Sequence, residues 1–170
     1  PINGTSNYPT VENFSFPTQT STVSMWIKHS PGNSGSIISI NDGLGSLQYG
    51  EWQFQCGFSG GGGSQSFRYG YSTNVSQESI LENAFIVEDE VWYYISMIFN
   101  EGYTAFYING LFEGDGNLQG NSVYEGENYS LNLGYNSAYW NYYHGNIDQV
   151  EIWDIALTPD EILAYKDCPP

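Results

Sequence analysis

The chain has 170 residues, 40% of them hydrophobic and 17% aromatic, which excludes a disordered segment and fits one domain able to bury most of its unfolded surface. Its 3 Lys+Arg against 19 Asp+Glu give a formal net charge of -16, so phosphate backbones and anionic bilayers would be repelled and nucleic acid is excluded as a partner. The carboxylates suit divalent cations, neutral glycans or a saline medium, or they form a solvated acidic surface with no ligand.

Strand-like runs, bounded by Gly, Asn, Ser and Pro clusters, follow one another at residues 23–28, 36–40, 51–58, 67–71, 92–100, 103–108 and 131–135. This spacing predicts an all-β sandwich or barrel and gives no support to alternating βαβ units. In the first run, alternation puts Val23, Met25 and Ile27 on one face and Trp26 and Lys28 on the other. The glycine run 60–63 reads as a flexible loop tip. Residues 92–108 form a hairpin through Asn100-Glu101-Gly102, and Asn109-Gly110, which tolerates the positive φ angles of a type I′ turn, reverses the chain again into Leu111-Phe112-Glu113. Glu113-Gly114-Asp115-Gly116-Asn117 alternates oxygen side chains with glycine and reads as a solvated turn. Toward the end, Ile147, Val150 and Ile152 recur nearly every second residue, as in a half-buried strand, and Thr158-Pro159-Asp160-Glu161 then starts a short helix over 159–165.

No run approaches the ~20 apolar residues of a membrane helix, so no membrane insertion is expected, and no basic-then-apolar signal segment opens the chain. One domain is expected over residues 1–170, with 166–170 as the start of a linker, so the chain reads as a module of a larger protein. Cys56 and Cys168 have three open fates: pairing with each other, pairing with a neighbouring domain, or remaining thiols. His29 and His144 lack metal-spaced partners and read as loop residues, and no phosphate loop, zinc spacing, nucleophile elbow or dinucleotide fingerprint occurs.

The string from Gly145 through Val150, Ile152, Trp153, Leu157 and Thr158 to Glu161-Ile162 resembles the closing G-x-I-x-x-V-x-I-W-x-x-x-L-[ST]-x-x-E-I string of laminin-G-like and pentraxin-like domains in the concanavalin A-like lectin/glucanase superfamily. The hairpin order W-x-x-[IV]-x-x-x-[FY] followed by [FY]-x-[NDG]-G, and the opening Ile2-Asn3-Gly4-Thr5-Ser6-Asn7-Tyr8, are similar to the same family. The resemblance implies an antiparallel β-sandwich of the concanavalin A-like jelly-roll type with one short C-terminal helix. It also implies one calcium ion between the first and last strands, held by Asn3, Gly4 and Asp148, with Asn7 a further candidate. Such oxygen-only ligands are what a hard cation needs, and the bland alternative is that Asp148 is a buried acceptor capping backbone donors.

Asn146-Ile147-Asp148-Gln149-Val150-Glu151 also resembles the E-x-D-x-x-E strand signature of retaining β-glucanases on this sandwich, but Asn146 stands where the nucleophilic glutamate belongs. Retaining hydrolysis needs two carboxylates, and an amide cannot replace one, so no enzymatic activity is expected. The Asn41-Asp42-Gly43 turn falls where pentraxin-like lectins hold a ligand-binding calcium, without the remaining acidic run of that site. Residues 134–144 are the candidate ligand surface, with Asn136, Tyr139, Trp140 and Tyr142 joining Asn41 and Asp42: rings stack on the apolar faces of sugars while amides satisfy hydroxyls. On this view Tyr139 or Trp140 should be exposed; the alternative is that alternate members of the run pack beneath the loop.

The expected function is a non-catalytic, calcium-stabilised carbohydrate-binding module of a secreted or cell-surface protein, with a glycan as partner. A protein–protein adhesion or spacer module is the alternative, and a glycoside hydrolase or lyase stands behind both.

Overall fold

The computed structural model describes residues 2–3, 8–16, 20–31, 35–41, 52–56, 67–72, 77–80, 85–117, 129–136 and 141–167. In chain order the strands are β1 (Ile2–Asn3), β2 (Thr10–Val11), β3 (Thr20–His29), β4 (Gly35–Asn41), β5 (Trp52–Cys56), β6 (Phe67–Ser72), β7 (Gln77–Ile80), β8 (Trp92–Asn100), β9 (Tyr103–Ile108), β10 (Leu111–Asn117), β11 (Ser130–Leu133), β12 (Tyr135–Asn136), β13 (Asn141–Tyr142) and β14 (His144–Trp153), closed by helix α1 (Pro159–Lys166). One sheet runs β1-β14-β3-β8-β9-β10; the other runs β12-β13-β4-β5-β6-β7, with β11 also on β4 and β2 on β11. Every pairing is antiparallel except the contact of β13 with β4, so the expected antiparallel sandwich with one short helix is what forms.

Strand alternation explains the layers. In β3, Val23, Met25 and Ile27 enter the central core, and in β8 so do Tyr93, Ile95, Met97 and Phe99. Ile38, Ile40, Trp52, Phe54, Phe67 and Tyr69 meet them from the other sheet. The opposite faces of β3 and β8 are covered as well: Trp26, Tyr94 and Ile98 join Ala105, Leu157 and Ile162 in a second cluster under α1. That double burial is why residues 92–99 are apolar almost throughout instead of alternating.

The three-residue step from Ile147 to Val150 is resolved by a bulge. Asp148 lies opposite Trp26 and Glu151 opposite Ser24, so β14 spends one residue more than β3, and Gln149 takes a positive φ of 47°. The extra residue restores the phase, and Ile147, Val150 and Ile152 all pack on the central core.

The hairpin turns form as expected, with Asn109 and Gly110 both at positive φ (53° and 79°), as a type I′ turn requires. Other expectations are corrected. Residues 113–117 belong to edge strand β10, where Asp115 accepts a hydrogen bond from the Tyr103 hydroxyl at 2.6 Å. Run 131–135 is interrupted at Gly134, whose φ of 74° turns the chain out of β11. His29 and His144 are not loop residues: they end β3 and begin β14. The glycine run 60–63 and Cys168 lie outside the described residues.

Helix α1 begins with a reciprocal capping box: the Glu161 N–H donates to Thr158 Oγ1 at 3.3 Å and the Thr158 N–H donates to Glu161 Oε2 at 2.7 Å, with Pro159 in the first turn. The Leu157 N–H donates to Thr22 Oγ1 (2.9 Å), which ties the approach segment to β3. Ile162 is the helix's buried side chain. Ile162→Ala is therefore expected to cost about 3 kcal/mol in a denaturant titration with unchanged m-value, whereas half-exposed Leu163→Ala should cost less than about 1 kcal/mol.

Candidate functional site

The second sheet is apolar on its inner face and polar on its outer one. In Trp52-Gln53-Phe54-Gln55-Cys56 the ring and thiol side chains enter the core, which leaves both amides on the outside. Register carries this polar line across neighbouring strands, since Thr10 lies opposite Asn132, Asn132 opposite Ser39, and Ser39 opposite Gln53.

Onto this face folds the β12–β13 hairpin. Gly134 starts it: its N–H donates to the Ile37 carbonyl at 2.7 Å, and its own carbonyl accepts from the Tyr143 N–H at 2.9 Å. Side chains then fix it. Ser39 Oγ donates to the Tyr135 carbonyl (2.8 Å), Asn136 Nδ2 donates to Gln53 Oε1 (2.6 Å), and Asn41 Nδ2 donates to Ser39 Oγ (2.9 Å) and Asn136 Oδ1 (3.4 Å). Ser39, Asn41 and Asn136 are fully buried, and the network supplies the hydrogen bonds that make their burial tolerable.

Above the network stands a stack of three tyrosines. Tyr135 meets both Tyr8 (centroids 4.1 Å, planes 29° apart) and Tyr142 (4.6 Å, 27°), and Tyr8 and Tyr142 meet each other at 6.1 Å with planes 55° apart. Tyr8 is carried there by the pairing of β2 with β11 and by the Leu133 N–H donating to the Pro9 carbonyl at 3.0 Å. Tyr135 is buried while Tyr8 and Tyr142 remain partly open to solvent. Burial, with the adjoining Tyr142 and Tyr8 phenols, pushes the Tyr135 hydroxyl up to about 12, so it stays a neutral donor. The stack offers ring surface and hydroxyls side by side, without a fixed charge of its own.

Of the expected ligand residues, the structure brings together Asn41, Asn136 and Tyr142, but in different roles. The two amides are internal struts of the hairpin, and Tyr142 alone presents partly exposed surface. Asp42, Tyr139 and Trp140 lie outside the described residues. Tyr8, Ser39 and Gln53 were not singled out from the sequence. The strict alternation in 52–56 signals Gln53; the position of Tyr8 depends on the pairing of Val11 with Leu131, 120 residues apart in sequence, and has no local signature.

Of the expected calcium ligands, Asn3 and Asp148 fall on described strands and Gly4 does not. Asn3 lies opposite His144, and Asp148 is four residues further along β14, roughly 13 Å at strand rise. Gly4 lies outside the described residues, and among these no group of three His, Cys, Asp or Glu side chains is placed to hold a metal. Asp148 is exposed, not buried: its Oδ1 accepts from the Gln149 N–H at 2.8 Å and caps the bulge. Asp148 and Glu151 lie opposite Trp26 and Ser24, on the face of β14 that looks away from the central core.

Two antiparallel sheets packed face to face and closed by one short helix make a jelly-roll β-sandwich. The chain belongs to the concanavalin A-like lectin/glucanase superfamily, whose laminin-G family model matches residues 3–163. A comparison with curated proteins found no match. Among solved structures it is similar to a native heptameric SAP-like pentraxin from Limulus polyphemus (20% identity, 97% of this chain and 79% of that one, TM-score 0.69). It is also similar to domain 4 of AbnA, a GH43 extracellular arabinanase from Geobacillus stearothermophilus, in complex with arabinotriose (19%, 96% and 73%, TM-score 0.70). A third is the CBM40 of the Ruminococcus gnavus IT-sialidase bound to α2,3 sialyllactose (14%, 88% and 83%, TM-score 0.67).

Two measurements check this geometry. Asn136→Ala removes a donor and an acceptor from the buried network and should destabilise the domain by about 1–3 kcal/mol. Melting scans with calcium and with EDTA check the calcium expectation: a midpoint raised by free calcium supports a metal site, and one shared midpoint overturns it.

Proposed function

We propose that this domain is a non-catalytic, extracellular lectin-like module that binds a glycan at the rim formed by Tyr8, Tyr135 and Tyr142. The observation that carries this reading is the tyrosine group itself: the partly exposed Tyr8 and Tyr142 rings are held against Tyr135 by a buried amide network, and they offer a sugar both ring surface and phenol hydroxyls. The likeness to domains solved with arabinotriose and with sialyllactose supports it. The net charge of -16 disfavours an acidic sugar and points to a neutral glycan. Calcium, implied by the family resemblance through Asn3, Gly4 and Asp148, would stabilise such a module.

Catalysis has no support from β14. Asn146 occupies the position a nucleophile would take, and Asp148 is engaged at the bulge.

One observation favours protein adhesion as a second reading. Leu111, Phe112, Ile155, Leu163 and Tyr165 are exposed large hydrophobics on β10 and around α1, away from the tyrosine stack. Apolar surface of this kind suits a protein contact better than a sugar.

A glycan array followed by calorimetry separates the two. Neutral oligosaccharides such as arabinotriose should bind and sialyllactose should bind more weakly, with Tyr142→Ala and Tyr8→Ala each lowering affinity about tenfold. Leu111→Ser with Leu163→Ser should leave that affinity unchanged. Absence of binding to any sugar on the array would overturn the lectin reading.

A further inference from the structure

Behind the tyrosine stack lies a pair of buried polar rings that sugar contact does not use. His29 ends β3, and Tyr143 directly follows Tyr142 of the stack. Both are fully buried, their ring centroids are 5.5 Å apart, and neither nitrogen of His29 nor the hydroxyl of Tyr143 has a hydrogen-bond partner. The backbone is closed tightly around them. A Cβ on Gly145, opposite His29, would press into the Tyr143 ring at 2.9 Å, and one on Gly35 would overlap the Tyr142 and Tyr143 backbone. The Tyr143 N–H in turn bonds to the Gly134 carbonyl, at the turn that launches Tyr135.

An uncharged imidazole tolerates such a position, but an imidazolium without an acceptor does not. The groups facing it are few. Asp89 and Glu90, on the segment whose Glu90 N–H donates to the His29 carbonyl at 2.7 Å, favour the charged ring; His144 on β14 opposes it. Lys28 is engaged with Glu90 at 3.4 Å, and Tyr143, which also has Cys56 of β5 nearby, is held neutral by burial. Desolvation is the largest of these effects, and it holds His29 below the ordinary histidine value.

We propose that His29 is a positioning residue and an acid-operated latch for the tyrosine stack. Neutral, it fills the space behind Tyr143 and keeps the β12–β13 hairpin seated; protonated, it must reach water or the Asp89 and Glu90 carboxylates, which unseats Tyr143 and releases the bound sugar. The release rests on the glycan-binding reading above, whereas the latch itself does not. The sign follows from linkage. An opened state takes up the proton at the ordinary histidine value and the closed state only at lower pH, so closure is fully favoured above the ordinary value and is lost as pH falls from there toward the depressed one.

The test uses the unmodified domain, so it does not depend on a variant folding. Without sugar, the His29 ring is titrated by NMR, and the exchange of the Tyr143 amide, corrected for its intrinsic rate, is compared at about pH 7.5 and about pH 5. The expected result is titration below the ordinary histidine value with opening at least about tenfold more frequent at the lower pH. His144→Gln should leave that response intact and His29→Phe should abolish it. With arabinotriose as probe, affinity should fall at least about tenfold over the same range. Titration at or above the ordinary value with unchanged exchange overturns the latch, as does survival of the response in a folded His29→Phe variant, its loss in His144→Gln, or faster exchange with equal sugar affinity at both pH values. Faster exchange in a domain that binds no sugar at either pH retains the latch and overturns the glycan reading.

Discussion

A connected set of aromatic contacts between the two sheets holds the rest of the structure in place. Phe16 meets Trp52 and Phe99 edge-on, Trp52 and Phe99 both reach Tyr69, Tyr69 and Phe54 meet Phe106, and Phe54 continues through Phe67 to Phe85 and Tyr93. These rings come from both sheets and from the segments beside them. Each buries a large apolar area and each contact adds a preferred geometry, so the sheets are held at one separation and one offset. A chain with 17% aromatic residues and a net charge of -16 needs such a core, because self-repulsion of the acidic surface works against compactness.

The polar face depends on that rigidity. Because Trp52 and Phe54 are locked inward, Gln53 has no choice of side, and its carbonyl oxygen is available to Asn136. Ser39 is fixed outward in the same way by Ile38 and Ile40. A hairpin that rests on three such groups holds Tyr135 and Tyr142 in contact at 4.6 Å with planes 27° apart. Preorganised rings cost a ligand little ordering entropy, which is the main physical argument that the stack is a binding surface and not only a loop filler.

Much of this fold was legible in the sequence, for reasons that can be named. Strands β3, β4, β5, β6, β8, β9 and β14 show alternation or continuous apolar runs, the Asn109-Gly110 turn permits one local geometry, and Thr158-Pro159-Asp160-Glu161 carries its own cap. The short strands β1, β2, β12 and β13 have only two residues each, too few to show a period. Residues 113–117 looked like a turn because glycine is rare in strands, yet their pairing with β9 is decided by the hairpin that precedes them. His29 was misplaced since a polar residue at the end of an apolar run reads as a boundary, whereas the phase shared with Val23, Met25 and Ile27 carries it inward. Asp148 is exposed and not buried because the bulge, which has no reliable local signature, turns that stretch toward solvent. The tyrosine stack gathers residues 8, 135 and 142, and such long-range convergence is a property of topology, not of any window of sequence.

Strand β10 carries a consequence of a different kind. It is the outermost strand of its sheet in the hydrogen-bonded order, and it alternates Glu113, Gly114, Asp115 and Gly116 with a register shift between Phe112 and Gly114. Acidic side chains and a local distortion make a poor template for strands of another molecule, and glycine lends such a template no side-chain grip. A polypeptide so rich in β-structure and aromatic rings thereby gains a built-in safeguard against fibrillar self-association along that border, and the safeguard is strongest where the carboxylates are ionised.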